Sequence, residues 1–269
     1  MAALTDLTTR LAEAPAVLVH VEAAQGSVPR EAGAWMAVFA DAVVGTIGGG
    51  RLEFEAIAEA RARLAGERSD AAPVVRYPLG PSLGQCCGGV AHLRYAVVTA
   101  QDLPQLRARL AARHAPLALF GGGHVGRALI QALAALPFDV RWIDSRDEIF
   151  PAQVPDNVAC EHSDPVQAAV ADLAPQSRVL IMSFSHAEDL DVVAACLKRL
   201  RERDDLPYVG LIGSQTKWAT FRHRLEDRGF QPEELARITC PIGVPGIPGK
   251  QPEVIAVAVA AQLLQVPQA

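Results

Sequence analysis

An apolar stretch, Leu117-Ala118-Leu119-Phe120, runs without a break into Gly121-Gly122-Gly123-His124-Val125-Gly126. This is G-x-G-x-x-G spacing in the context that gives it meaning, with a strand pattern before it and a helical pattern, Val125 to Leu136, after it. Glycines so placed permit a tight turn, close approach of a phosphate, and close packing of helix on strand. The helix that follows offers free amides and a partial positive charge to an anion. Asp144 ends the next strand, 18 positions after Gly126, where a ribose-binding acid is expected. The same glycines also suit a turn that binds nothing, because a fold does not fix a ligand.

Around this unit, short apolar strands alternate with helical patterns. The strands are Leu117 to Phe120, Asp139 to Ile143, Val179 to Phe184 and Tyr208 to Ile212. The helices are Val125 to Leu136, Pro165 to Leu173, Asp189 to Arg203, Thr216 to Gly229 and Pro252 to Leu264. Alternation of this kind predicts a parallel sheet with helices on both faces, a Rossmann-like domain over residues 116–269. Residues 1–100 read differently. A helix at Thr5 to Glu13, strands at Ala16 to Glu22, Trp35 to Phe39, Ala42 to Thr46, Val74 to Tyr77 and His92 to Val98, and a helix from Leu52 to Leu64 predict a small α+β domain. Residues 101–115, with a helix from Leu103 to His114, read as a connector. The fold class is therefore α/β, with an α+β N-terminal domain.

Two further loops leave the same edge of the predicted parallel sheet as Gly121. Ser183-Phe184-Ser185-His186 meets Asp189, and His186 with Asp189 is either a base and its orienting partner or the cap of the helix beginning there. Gly213-Ser214-Gln215-Thr216-Lys217 opens a helix and suits an anion, although it is no P-loop. Lys217 is one of three lysines against 22 arginines, and its alternative is a solvated first turn.

Cys86-Cys87-Gly88-Gly89 is a poor zinc pattern, because structural zinc sites favour wider cysteine spacing. A thiol among glycine amides is instead a candidate thiolate: nucleophile, sulfur carrier or soft-metal ligand. Cys240, before Pro241-Ile242-Gly243, is a second candidate, while Cys160 and Cys196 read as core residues. Arg51 stands beside Gly48-Gly49-Gly50, and Arg30 follows Gly26-Ser27-Val28-Pro29. A guanidinium suits phosphate or carboxylate, but Arg51 also has Glu53 and Glu55 as surface partners in reach.

A net charge of -5 excludes a broadly basic nucleic-acid binder. Five cysteines are too few and odd for a disulfide scaffold. The longest apolar run, Val254 to Val266, includes two glutamines and is too short to span a bilayer. A cytoplasmic protein without nucleic-acid or membrane partners is the expectation.

Taken in order, Gly26 to Arg30, Gly45 to Glu53, Leu83 to Gly89, Gly121 to Gly126, Gly210 to Ser214, and Cys240 to Gly243 with Gly249-Lys250 resemble the XdhC/CoxI family of xanthine dehydrogenase accessory proteins. Gln85-Cys86-Cys87-Gly88-Gly89 and Cys240-Pro241-Ile242-Gly243 look closer to its XdhC branch. One departure is Phe184-Ser185-His186 where the family often has His-Ser-His. The resemblance implies a chaperone that binds molybdenum cofactor, a molybdopterin with a phosphate. It would hold the cofactor while a cysteine desulfurase supplies sulfur and then insert it into xanthine dehydrogenase, with no turnover of its own. The expected cofactor-binding set is Cys87, Arg30, Arg51, Gly121, Gly123, Gly126, Asp144, His186, Ser214, Lys217 and Cys240, with Cys87 as the metal contact. A homodimer is also expected. The residues alone leave two alternatives: an NAD(P)-dependent oxidoreductase using Gly121 to Gly126, Asp144 and His186, and a sulfurtransferase working through a Cys87 persulfide.

Overall fold

The computed structural model describes residues 2–68, 70–79, 88–110 and 114–267. Cys86 and Cys87 lie outside the described residues, so the expectations placed on Cys87 have no structural account. The chain divides into two compact units, Met1–Ala112 and Arg113–Ala269.

The first unit is built on an antiparallel sheet in the order β3-β2-β1-β5-β4. Its strands are β1 (Ala16–Gln25), β2 (Trp35–Val38), β3 (Val43–Gly45), β4 (Val74–Pro78) and β5 (Val90–Val98). Side chains alternate across a strand, and β1 uses both faces. Val17, Val19 and Val21 pack with Leu52, Ala56 and Ala60 of α2 (Gly50–Leu64). Leu18 faces the other way, toward Leu7 and Leu11 of α1 (Ala2–Leu11) and Leu106 of α3 (Leu103–Leu110). The helix read from sequence as a connector thus contributes to this core.

The second unit has six parallel strands in the order β11-β10-β9-β6-β7-β8. They are β6 (Ala115–Phe120), β7 (Phe138–Asp144), β8 (Val158–His162), β9 (Arg178–Ile181), β10 (Tyr208–Leu211) and β11 (Ile238–Thr239). A sheet covered on both faces needs strands that are apolar throughout, and β6 is buried almost along its whole length. One face packs on α5 (His186–Arg203), α6 (Gln215–Glu226) and α7 (Pro232–Leu235). The other packs on α4 (His124–Leu133) and α8 (Pro252–Gln265). The chain builds outward from β6 through β7 to β8, then returns to β6's other side with β9. The order therefore reverses between β6 and β9. In open sheets of this type, ligands bind outside the carboxyl ends of the strands at such a reversal.

Three sequence expectations change. The helix expected over Pro165 to Leu173 is a 3-10 segment, Val166–Asp172, so this crossover covers less of the sheet than an α-helix would. Cys160 is exposed on edge strand β8, not buried in the core, because no further strand covers that edge. The short elements β8, α7 and β11 were not read as periodic segments; each has at most five residues, too few for a pattern to register.

Glycine at 121 is fixed by packing. Its φ is +120°, and a Cβ there would lie 2.0 Å from the carbonyl oxygen of Met182. Gly121→Ala is expected to cost about 3 kcal/mol or more, from backbone strain and overlap with the β9 chain. Gly123 has φ -69° and open space around its missing Cβ. Gly123→Ala should cost less than about 1 kcal/mol, the loss of a preferred N-cap residue. Urea unfolding of the two variants checks this, and equal losses would contradict the assignment.

Candidate functional site

Because all strands of the second unit are parallel, the loops after β6, β7, β9, β10 and β11 leave one edge. The turn after β6 holds three glycines with separate duties. Gly121 turns the chain against β9. Gly126 lets α4 lie on the turn, since a Cβ there would meet the Gly121 carbonyl oxygen at 2.2 Å. Gly123 is the N-cap of α4 and brings no capping side chain. The first amides of a helix have no acceptor within it, so the start of α4 is open to an anion.

The neighbouring helices differ. Ser185 caps α5 by accepting from the Glu188 amide at 3.2 Å. Ser214 caps α6 by accepting from the Lys217 amide at 3.2 Å. Lys217 is committed as well: its Nζ donates to Asp189 Oδ2 at 2.6 Å and to the Ile212 carbonyl at 2.8 Å. Lys217 and Ser214 therefore secure the α6 loop, and the Lys217 charge is paired with Asp189. Asp189 is buried and accepts from the Ser183 amide with its other oxygen. It does not pair with His186, whose exposed ring instead meets the edge of Phe221. The base-and-orienter reading of that pair is not supported.

Asp144 sits at the end of β7, 2% exposed. Its Oδ2 accepts from the Gly122 amide at 2.6 Å, and its two oxygens accept from the Arg146 guanidinium at 2.9 Å each. The Arg146 amide supplies a fourth bond. Burial alone would raise this carboxyl's pKa, but the Arg146 side chain and the two amides reverse that, so it lies below the ordinary value. Arg146 in turn stacks on the exposed Phe184 ring at 4.3 Å. Ser145 donates to Glu188, which also accepts from the Phe184 amide. The loops after β7 and β9 are thereby joined. Ser183 Oγ is buried without a hydrogen-bond partner among the described residues. Arg146 is not part of any motif read from the sequence, and its only signal is its position two residues after the end of β7; the Ser183 to His186 loop stands out in the sequence, but not Phe184 as the partner of an arginine.

Cys240 follows β11 and is half-buried against the core. Burial raises its thiol pKa, Lys217 opposes the rise and Asp189 reinforces it. A thiol so placed stays protonated near neutrality and is a weak metal ligand or nucleophile. Among the described residues no group of three or more His, Cys, Asp or Glu side chains is placed to hold a metal ion. No described helix is long and apolar enough to cross a membrane.

In the first unit, the loop at Gly26 to Arg30 meets two others. A Cβ on Gly48 would touch Pro29 Cβ at 2.4 Å and Arg30 Cγ at 3.2 Å, and one on Gly89 would meet the Ser27 carbonyl oxygen at 2.4 Å. Glu53 of α2 folds back onto the loop that precedes the helix, whose N-cap, Gly49, brings no capping side chain. Glu53 Oε2 accepts from Thr46 Oγ1 at 2.5 Å, the Ile47 amide at 2.9 Å and the Gly49 amide at 3.1 Å. Arg51 is exposed and pairs with Glu55 at 2.9 Å, a surface contact of small energetic weight. Arg30 stays exposed beside Gly48.

The family model described as the XdhC Rossmann domain matches residues 117–263, and that described as the XdhC and CoxI family matches residues 10–78. Protein YqeB of Escherichia coli (strain K12) is 30% identical over 268 residues, covering 94% of this chain and 43% of that protein. The chain thus spans less than half the length of that relative. A crystal structure described as a xanthine dehydrogenase from Bacillus halodurans aligns with a TM-score of 0.77 at 19% identity, over 99% of this chain and 96% of that one. At that identity the likeness is one of fold.

Two predictions follow from the charges. Lys217→Ala strands the buried Asp189 carboxylate and should cost about 3 kcal/mol; a loss below about 0.5 kcal/mol in urea unfolding would mark Lys217 as a surface residue. For Asp144, the folded carboxyl titrates below its ordinary value of 3.8. Its contribution is therefore complete above that value and disappears as pH falls through the folded pKa. The stability gap between the protein and Asp144→Asn should be wide at neutral pH and narrow below about pH 4, read as urea midpoints across pH.

Proposed function

The chain belongs to the XdhC and CoxI family, and from that premise we propose that it serves xanthine dehydrogenase maturation by binding molybdenum cofactor and handing it to the apoenzyme. The observation that carries this reading is the open N-terminus of α4 at Gly123, in an edge where α5 and α6 are closed by their own serines. The cofactor's phosphate fits there, with the first-turn amides as donors. When bound, the group supplies a molybdenum centre for oxidation chemistry in the recipient enzyme. This chain's residues hold and orient it: Gly123 admits the phosphate, and Arg146 neutralises Asp144 so that no bare carboxylate repels it. Donation of the terminal sulfur by a cysteine desulfurase belongs to the same proposal.

A nicotinamide dinucleotide is the poorer occupant. Recognition of its ribose asks for a free carboxylate, and the Asp144 oxygens already take four hydrogen bonds.

The test is ligand content. Protein from cells able to make the cofactor should carry molybdenum and give oxidised-pterin fluorescence; protein from cells unable to make it should not. Gly123→Val should lose most of that content at a stability cost of about 1 kcal/mol, that of losing a favoured N-cap residue. Unchanged content in the variant sinks the assignment to this turn, and NADH binding without any pterin would replace the reading altogether.

A further inference from the structure

Two cavities among the described residues of the second unit are large enough to be considered. One, of about 540 Å³, is lined by Pro116, Asp139 and Asn157 at or near the strand starts, the edge remote from the glycine turn. Its charges are largely spent: Asp139 pairs with His114, and Arg141 pairs with Glu161. The other, of about 480 Å³, lies along the outer face of α4 between residues 151–154 and the start of α8. That volume falls within the range of small-molecule sites.

Its walls are apolar, with Ala128, Ile130, Val154 and the buried Trp142 among them. Trp142 is held in place by donating Nε1 to the Gly121 carbonyl at 3.0 Å. Arg127, on the same wall, donates to the carbonyls of Gly122 and Ile149. Cavity and turn thus share their framework, and His124, the first residue of α4, lines the cavity directly after Gly123. Four polar side chains complete the lining: His124, Gln131, Gln153 and Glu253. None makes a side-chain hydrogen bond or ion pair with a described residue. All four are exposed residues at its rim, and an apolar slot with a few polar side chains to fix orientation is the usual form of a site for a small molecule.

We propose that this cavity holds the bicyclic heteroaromatic ring of the ligand whose phosphate occupies the Gly123 turn, and that Glu253 reads the ring's amino-pyrimidinone edge. The inference rests on the phosphate assignment above and adds the ring's place to it. A flat ring fits against Ala128, Val154 and Pro252. A carboxylate accepts from two adjacent N–H groups, such as a ring N–H and the amino group beside it, and the two glutamines serve the remaining donors and acceptors. Both a pterin and a guanine present that edge, whereas adenine does not.

Binding of GMP, AMP and ribose 5-phosphate to the full chain, by calorimetry, and of pterin-6-carboxylate, by its own fluorescence anisotropy, tests this. GMP should bind at least about tenfold tighter than AMP, since a site built to pair with a ligand's N–H groups rejects analogues lacking them. Glu253→Gln should remove that preference and weaken pterin-6-carboxylate, leaving ribose 5-phosphate untouched. Ala128→Trp, which fills the slot, should abolish pterin-6-carboxylate binding. Tighter binding of pterin-6-carboxylate than of GMP assigns the site to a pterin, and the reverse to a purine nucleotide. Equal GMP and AMP affinities, or a Glu253→Gln variant that binds every probe as the parent does, would overturn the proposal. If ribose 5-phosphate then still binds and Gly123→Val stops it, the phosphate reading survives alone. If pterin-6-carboxylate binds through Glu253 while ribose 5-phosphate does not bind, the cavity stands and the phosphate assignment fails.

Discussion

The carboxyl edge of the parallel sheet depends on how closely β6 and β9 approach at Gly121. The space a side chain would need is filled by the Met182 carbonyl oxygen, so the two chains leave their strands almost in contact. The reversal of strand order sits at this spot, and it sets where α4 begins. Gly126 completes the arrangement by letting α4 settle on the Gly121 carbonyl, which also receives the Trp142 indole. Two missing side chains thus place a helix N-terminus, a buried aromatic wall and the loop after β9 within one small region. The middle glycine contributes nothing to that packing. Its bare surface faces open space, and this separation of duties makes it the informative residue for ligand binding.

Much of this was legible before any coordinates. The strand, the three glycines and the following helix carry their own geometry, and the parallel sheet follows from alternation of short apolar runs with helical ones. The ligand-facing roles were harder to read. Lys217 looked like an anion ligand because it follows Gly213-Ser214 in a lysine-poor chain, but sequence does not show that Asp189, 28 positions earlier, comes to lie against it. Arg51 and Glu53 read as neighbours of a glycine loop. Only the fold reveals that Glu53 turns back into the loop while Arg51 points away to Glu55. Residues whose partners are local in sequence were read correctly as alternatives. Those whose partners arrive from another element were not, since long-range pairing leaves no periodic signal.

The two units also treat a glycine-rich helix start in different ways. At α2, the helix's own Glu53 folds back onto the amides of Ile47 and Gly49, and those bonds hold the carboxylate below its ordinary pKa despite burial. Those bonds tie the loop before the helix to its own first turns, while Gly49 caps α2 without a side chain. At α4 the chain offers only glycine and histidine, and the nearest carboxylate, Asp144, reaches no further than the Gly122 amide. Both helices are capped by a bare glycine, but only the first sets a carboxylate of its own helix against the loop before it.

Asp144 would nevertheless be a hazard to an anion at Gly123 if its charge stood alone. A carboxylate 2.6 Å from the neighbouring amide, and almost fully buried, projects its field through protein rather than water. Screening there is weak, so a phosphate would meet strong repulsion. Arg146 removes that cost with two hydrogen bonds to the same carboxylate, and Phe184 holds the guanidinium from its far side. The pair is close to neutral as a unit, which leaves the dipole of α4 as the dominant local field at the turn. The acid then works as a strut for Gly122, and the arginine makes that strut compatible with an anionic guest.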